Sequence, residues 1–145
     1  MPISSVVNHL RRRLDTVITG SVRLSEVRRH IDWILADGLE GYRELIDVRG
    51  AAEPYWSPSE IWKVPALLGK PNEHHYGWRA IVADTRAQFA LARLFATIAS
   101  RYVPVAVFDD FERAQTWLAR SDDPIMLGVS REAPEARPSR RAARR

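Results

Sequence analysis

Short apolar segments alternate with amphipathic helical segments along most of this chain. Apolar or β-branched runs at 14–20, 42–48, 79–83 and 104–108 have the length of strands, and apolar residues at helical spacing follow each run. Short strands joined by helices are typical of right-handed parallel crossovers. The alternation therefore predicts one small α/β domain with a four- to five-stranded, mostly parallel sheet and helices packed around it.

Local capping signals predict where the helices begin. A serine, threonine or aspartate before an apolar stripe accepts hydrogen bonds from the free N–H groups of the first turn. Four such signals precede the predicted helices: Ser25 with Glu26, Ser57 with Glu60, Thr85 with Gln88, and Asp109 or Asp110. Ahead of residue 14, Val6 and Val7 predict a further, antiparallel strand, which would make the sheet mixed.

The positive charge of the chain lies at its C-terminal end. The net charge is +4, yet residues 1–130 hold equal numbers of basic and acidic side chains. Residues 131–145 are rich in arginine and lack large apolar side chains, so they cannot bury enough surface to offset the entropy of ordering. We expect a folded domain over 1–130 and a disordered tail over 131–145. The tail is only a weak indication of nucleic acid or an anionic membrane.

Several classes of chemistry are disfavoured by the sequence. The chain has no cysteine, which excludes disulfides, thiolate nucleophiles and cysteine metal sites. It has no glycine-rich phosphate loop and no G-x-S-x-G elbow. It also lacks an apolar run long enough to span a membrane and a secretory signal. We expect a cytoplasmic protein without a cofactor that is not an enzyme.

Two groups of side chains in the sequence are candidate metal sites. Glu73, His74 and His75 are adjacent, but neighbouring side chains diverge in most backbone conformations, so we expect a solvated loop there. Asp47, Asp84 and Asp109 each lie near the carboxyl end of a predicted strand, the edge at which open α/β sheets bind ligands. Aspartates also favour helix starts for electrostatic reasons alone. We keep Asp47 and Asp84 as candidates for ligand or partner binding and predict no metal site.

Large aromatic residues and prolines concentrate in the segment 55–78. Amphipathic aromatics are common in pockets and interfaces, where an apolar ring and a polar tip are both useful. The prolines predict an irregular flap rather than a long helix. The flap could be a lid over an apolar groove, a dimer face, or a plain cover for one side of the sheet. Its candidate binding residues are Tyr55, Trp56, Trp62, Tyr76 and Trp78.

The order of these motifs resembles a known family. The run FALAR at 89–93, the pair VF at 107–108, and the later Ala114 and WL at 117–118 are similar to the small bacterial SpoIIAA-like proteins. That family is related to STAS domains and, more distantly, to CRAL-TRIO lipid carriers. The resemblance covers about residues 14–119. It implies a sheet of four or five strands with helices around it, often a dimer, and no established activity for many members.

The phosphorylation motif of the STAS anti-sigma antagonists is not kept in this chain. Those proteins carry an Asp-Ser-Ser-Gly pattern at the start of the helix that follows the central strand. Here Ser57-Pro58-Ser59-Glu60 occupies the corresponding helix start, without the aspartate or the glycine. Capping explains Ser57 completely, so we do not expect Ser57 or Ser59 to be phosphorylated.

Two functions follow from these observations. The first is a non-enzymatic, STAS-like module that regulates through contacts with another protein or with a second copy of itself. The second is a carrier or sensor that holds an apolar small molecule or lipid between the 55–78 flap and the sheet. A cavity of roughly 300 Å³ or more under the flap would favour the carrier, and a flat patch would favour the interaction module.

Overall fold

A computed structural model describes residues 2–53 and 56–120, and residues 121–145, including the predicted arginine-rich tail, lie outside this range. The described residues form five strands, four α-helices and one 3-10 helix. The elements in chain order are β1 (Ile3–Asn8), β2 (Arg13–Gly20), α1 (Leu24–Ala36), β3 (Arg43–Ala51), α2 (Pro58–Ile61), the 3-10 helix (Val64–Leu68), β4 (Arg79–Val82), α3 (Arg86–Ala99), β5 (Val105–Phe108) and α4 (Phe111–Arg120).

The strands form one sheet in the order β1-β2-β3-β4-β5. β1 and β2 pair as an antiparallel hairpin, whereas β2, β3, β4 and β5 are all parallel. The hairpin turn has no glycine. Asn8 instead accepts a hydrogen bond from the backbone N–H of Arg11 at 3.0 Å, and Arg12 adopts a left-handed φ of 52°. The predicted mixed, mostly parallel sheet is confirmed.

The helix starts follow the capping prediction in most places. The Ser57 and Thr85 side chains accept from the backbone N–H groups of Glu60 and Gln88, as the capping-box pattern predicts. The predicted cap at Ser25 is wrong by two residues, because the residue at the cap position is Arg23. α1 begins at Leu24, and the Glu26 carboxylate accepts from the N–H of Arg23 at 2.7 Å, so Ser25 lies inside the first turn.

The two faces of the sheet are covered by different helices. α4 packs on one face against β3, β4 and β5, and Ala114 and Leu118 of α4 are completely buried there. We call this the packed face. α1, α2, the 3-10 helix and α3 cover the other face, where Ile31 of α1 shares a core with Leu68 and Ala99. Side chains that alternate along a strand point to opposite sides of the sheet, so the two faces carry different residues. We call this second face the cavity face, because its side chains surround an open volume.

Candidate functional site

A cavity of about 250 Å³ lies between the cavity face and its helices. Aliphatic side chains from β2, β3 and β4 form its floor, and side chains of α1 and α3 form its roof. The space is partly open to the surface and mostly apolar, which are the usual features of a small-molecule binding cleft. Its apolar lining includes Ile18, Ile46, Val48, Ile81, Leu91 and Phe95.

A buried polar cluster closes one side of this apolar space. The Glu44 carboxylate lies at its centre and is 3% exposed. It accepts a hydrogen bond from the Thr16 hydroxyl at 2.6 Å, bonds His30 Nε2 at 2.9 Å, and pairs with Arg79 Nε at 3.3 Å. The Ser5 hydroxyl lies 2.7 Å from Thr16 Oγ1. Residues 16, 30, 44 and 79 all line the cavity, so the cluster is its polar end.

Glu44 is ionised in this cluster. Burial alone raises the pKa of Glu44, but the hydrogen bond from His30, the electrostatic attraction of Arg79 and of His30, and the hydrogen bond from Thr16 outweigh burial and bring the pKa below its ordinary value. A carboxylate only accepts hydrogen bonds. Thr16 and His30 Nε2 must therefore both donate to it, and the Ser5 hydroxyl must donate to Thr16.

Backbone carbonyls hold the Arg79 guanidinium in place. Nη1 of Arg79 donates to the carbonyl of Tyr42 at 2.7 Å and to that of Gly77 at 2.9 Å. Burial is the main influence on the pKa of Arg79 and lowers it, while Glu44 opposes the shift. An arginine stays charged under all ordinary conditions. Glu44 and Arg79 thus bring opposite charges to the polar end, and their charges cancel.

The structure separates the aromatic residues of the 55–78 flap. Trp56 and Tyr76 line the cavity. The Trp56 indole N–H donates to the carbonyl of Val22 at 2.7 Å, and the Tyr76 hydroxyl donates to the carbonyl of Leu68 at 3.0 Å. The polar atom of each ring is therefore hydrogen-bonded to a backbone carbonyl, and the apolar part of the ring borders the cavity. Tyr55 lies outside the described residues.

The other two candidates, Trp62 and Trp78, are not at the cavity. Trp78 packs on the packed face, with its ring centroid 4.6 Å from that of Trp117. Trp62 is 63% exposed on the surface. The expectation that one flap gathers all five aromatics is therefore corrected. Trp78 precedes Arg79 in the chain, and adjacent strand residues point to opposite faces of the sheet.

The candidate aspartates also lie away from the cavity. Asp47 and Phe111 line an open groove of about 390 Å³ on the packed-face side, where the Asp47 carboxylate pairs with Arg49 Nη2 at 2.9 Å. The hydrogen bond from the Arg49 side chain is the main cause that holds the pKa of Asp47 below its ordinary value. Asp84 is exposed just before the Thr85 cap. Within residues 2–53 and 56–120, no group of three or more histidines, aspartates and glutamates could hold a metal ion.

The serines at the start of α2 form a local cap. Ser57 Oγ accepts from the backbone N–H of Glu60 at 3.4 Å and lies 3.0 Å from Ser59 Oγ. Glu60 returns the bond by accepting from the N–H of Ser57 at 2.9 Å. These contacts agree with a capping role for Ser57.

Sequence reasoning missed the polar end of the cavity. His30 is not among the candidate residues of the sequence analysis, yet its side chain is only 15% exposed and bonds Glu44. A usable signal was present at two positions, because Glu44 and Arg79 are charged residues within short apolar strands, and buried charges require partners. Nothing in the sequence near His30 indicates which strand residue it meets.

Solved structures share this fold. An uncharacterised protein of the DUF3478 family with a SpoIIAA-like fold, from Shewanella loihica PV-4, is 19% identical with a TM-score of 0.54, and the match covers 80% of this chain and 91% of that one. An anti-sigma factor antagonist from Mycobacterium paratuberculosis is 16% identical with a TM-score of 0.51, covering 81% and 94%. No protein-family model matches the sequence, and no curated protein matches it.

These likenesses define the class of the molecule. The chain is a small α/β protein with the SpoIIAA-like fold, and the anti-sigma factor antagonist is similar to it in shape. The predicted resemblance is confirmed at the level of the fold. Across the part of the chain that the structure describes, no helix is long and apolar enough to cross a membrane.

Proposed function

We propose that this protein binds an apolar small molecule in the cavity and acts as a carrier or sensor of that molecule. The observation that supports the proposal is the cavity itself, about 250 Å³ of apolar space with one polar end. The cavity volume is smaller than the roughly 300 Å³ that would favour a carrier, so the proposed ligand is a small molecule. The proposed role is non-enzymatic, because in this proposal the residues of the polar end only form hydrogen bonds and carry out no reaction.

The cost of leaving this space empty supports the proposal. The apolar side chains that border this space lack packing partners on one side, so they forgo dispersion contacts that a filled core would give them. A ligand that fills the space restores the lost contacts. Binding and folding would therefore be linked, and the bound protein would be the more stable form.

Native mass spectrometry of the untagged full chain from its own cells tests the proposal. We expect a reproducible small-molecule mass that also survives removal of residues 131–145. Ala92 lines the cavity on α3, and Ala92→Phe should fill the space and remove that mass. Ala90 is exposed on the same helix, so Ala90→Phe is the matched control and should retain it. A bare wild-type protein would contradict the proposal.

A second candidate function is regulation through protein contacts. It is supported by the shape shared with the anti-sigma factor antagonist and by a part of the sheet that has exposed apolar side chains among residues 2–53 and 56–120. Val6 is 69% exposed and Val17 is 42% exposed on β1 and β2, whereas α4 packs on β3, β4 and β5. Under this proposal, the partner is another protein or a second copy of the chain.

Sedimentation and partner capture with the full chain test this second function. Val6→Lys and Val17→Lys should abolish a dimer or a captured complex without changing the small-molecule mass. Arg86 is exposed at the start of α3, so Arg86→Glu changes charge elsewhere and serves as the control. A complex that the valine variants leave intact would show that this part of the sheet is not the contact.

A further inference from the structure

The packed face carries an open groove over β1 and β2, beside α4. Val6 is 69% exposed and Val17 is 42% exposed there. Both valines lie on one side of the sheet, because Val6 pairs with Asp15, and residues two apart in a strand share a face. Val17, Leu45 and Phe111 form the apolar part of the groove, which has a volume of about 390 Å³. α4 itself packs against β3, β4 and β5.

α4 ends close to one end of this groove. The carbonyl of Leu118, in the last turn of α4, accepts a hydrogen bond from Arg43 Nη1 at 3.2 Å, and Arg43 Nη2 donates to the carbonyl of Arg11 at 2.6 Å. Arg11 belongs to the turn that joins β1 and β2, and it lines the groove. The helix therefore ends, at Arg120, on the side of the molecule where the groove meets the β1–β2 turn.

The sequence that follows Arg120 matches the groove in charge and polarity. Asp122 and Asp123 precede the apolar run PIMLGV at 124–129, which has no charged residue. At the near end of the groove, the Arg11 side chain makes no hydrogen bond or ion pair within residues 2–53 and 56–120. The order is the same in both, since the carboxylates precede the apolar run as the arginine precedes the apolar part of the groove. Such complementarity of charge favours binding in one direction.

The apolar run also matches the groove in length and spacing. In an extended chain alternate side chains share one side, so Ile125, Leu127 and Val129 form one apolar row, and Met126 lies on the opposite side. At about 3.3 Å per residue, six extended residues span about 20 Å. β1, which borders the groove region, is also six residues long.

A segment of the same chain is the occupant that needs the least contact area. Contacts between separate proteins usually bury about 1,200–2,000 Å². A segment on a short tether binds at an effective concentration of about millimolar, so a few buried apolar side chains are enough to hold it. Residues 121–123 alone separate Arg120 from the apolar run, which keeps the tether short.

We propose that residues 124–129 bind in the groove over β1 and β2, with the apolar row on Val17 and with Asp122 and Asp123 near Arg11. The segment then occupies the surface that the second proposed function assigns to a protein partner, and a partner has to displace it. This regulatory meaning rests on the second proposed function, whereas the contact itself does not.

The chain has no cysteine, so a single introduced thiol reports on its own exposure. Val17→Cys in the full-length protein is alkylated with iodoacetamide, a neutral reagent, and followed by mass spectrometry. Ile125→Gln combined with Leu127→Gln keeps the charge and removes apolar contact with the groove, so the thiol should react about tenfold faster. Met126→Gln is the matched control, because residue 126 lies on the other side of an extended segment, and it should leave the rate unchanged.

A thiol at a distant exposed position controls for general effects of the glutamines. Ala90 is exposed on α3, so Ala90→Cys should react at the same rate with and without them. The rate at Val17→Cys should not depend on protein concentration, because the contact lies within one chain. If Val17→Cys does not fold, methyl NOEs between Val17 and Leu127 in the wild type give the same information.

The outcomes are distinct. Equal rates at Val17→Cys with and without the two glutamines would overturn the contact, and so would the absence of the methyl NOEs. An equal acceleration by Met126→Gln would overturn the extended arrangement of the segment. Protection that increases with protein concentration would also overturn it and would indicate a second copy in the groove. In each of these cases the second proposed function would still be decided separately, by Val6→Lys and Val17→Lys in sedimentation and partner capture.

Discussion

The packed face and the cavity face use the same strands in opposite ways. On the packed face, Ala114 and Leu118 are completely buried, and Trp78 stacks at 4.6 Å from Trp117. On the cavity face, the neighbouring residues Glu44 and Arg79 of β3 and β4 bring charge inward, and about 250 Å³ stays unfilled. Close packing on the packed face therefore stabilises the fold, whereas incomplete packing on the cavity face leaves room for a binding site. Stability and binding should respond to different substitutions.

The largest effect is expected on the packed face. Trp78→Ala removes a large ring from a core that includes Leu118, and the free energy of unfolding should fall by about 3–5 kcal/mol. Urea unfolding measures this loss. Trp62→Ala is the control, since Trp62 is 63% exposed and should change stability by about 0.5 kcal/mol or less. Equal losses in the two variants would contradict the assignment of Trp78 to the core.

The buried pair on the cavity face should give the next largest effect. Glu44→Gln leaves the Arg79 charge buried without its partner, so the free energy of unfolding should fall by about 3 kcal/mol. Asp47→Asn is the matched control on the other face, because the Asp47–Arg49 pair is partly exposed and should contribute about 1 kcal/mol or less. Chemical unfolding of both variants checks the difference, and a neutral Glu44→Gln would show that the pair is dispensable.

An alanine on each face compares the packing directly. Ala114→Leu adds carbon atoms where no space is left and should cost about 1–3 kcal/mol. Ala92→Leu adds the same atoms toward the cavity, so its cost should be near zero. Thermal unfolding of the two variants without ligand measures the contrast. A cost for Ala92→Leu as large as that for Ala114→Leu would mean that the cavity is not open space in solution.

The smallest expected effect is a dependence of stability on pH. The pKa of Glu44 is lowered in the folded protein, so between the folded and unfolded pKa values the unfolded chain binds more protons. The stability from this group is complete above the unfolded pKa, about 4.5, and is lost as the pH falls through the lower folded value. The unfolding free energy of the wild type should fall more steeply than that of Glu44→Gln below about pH 4.5. Parallel curves would contradict this account.

Local sequence patterns were enough to predict the order of the elements and most of the helix starts. The alternation of apolar runs and helical stripes predicted β2, β3, β4 and β5 and the helices between them. The caps at Ser57 and Thr85 were also predicted, because a capping bond joins residues only three apart. The displaced start of α1 shows the limit of such local signals, since Glu26 bonds the N–H of Arg23 and Ser25 makes no cap.

The position of the site depends on contacts between residues that are far apart in the chain. Glu44 meets Thr16, His30 and Arg79 across 28, 14 and 35 positions of the chain, and these contacts depend on strand register and on how α1 lies over the sheet. Alternation along β4 places Arg79 and Ala80 on opposite faces, and Trp78, just before the strand, shares a core with Ala80, but alternation does not say which helix covers which face. The aromatic segment therefore looked like one surface in the sequence, whereas the fold divides it between a core and a cavity.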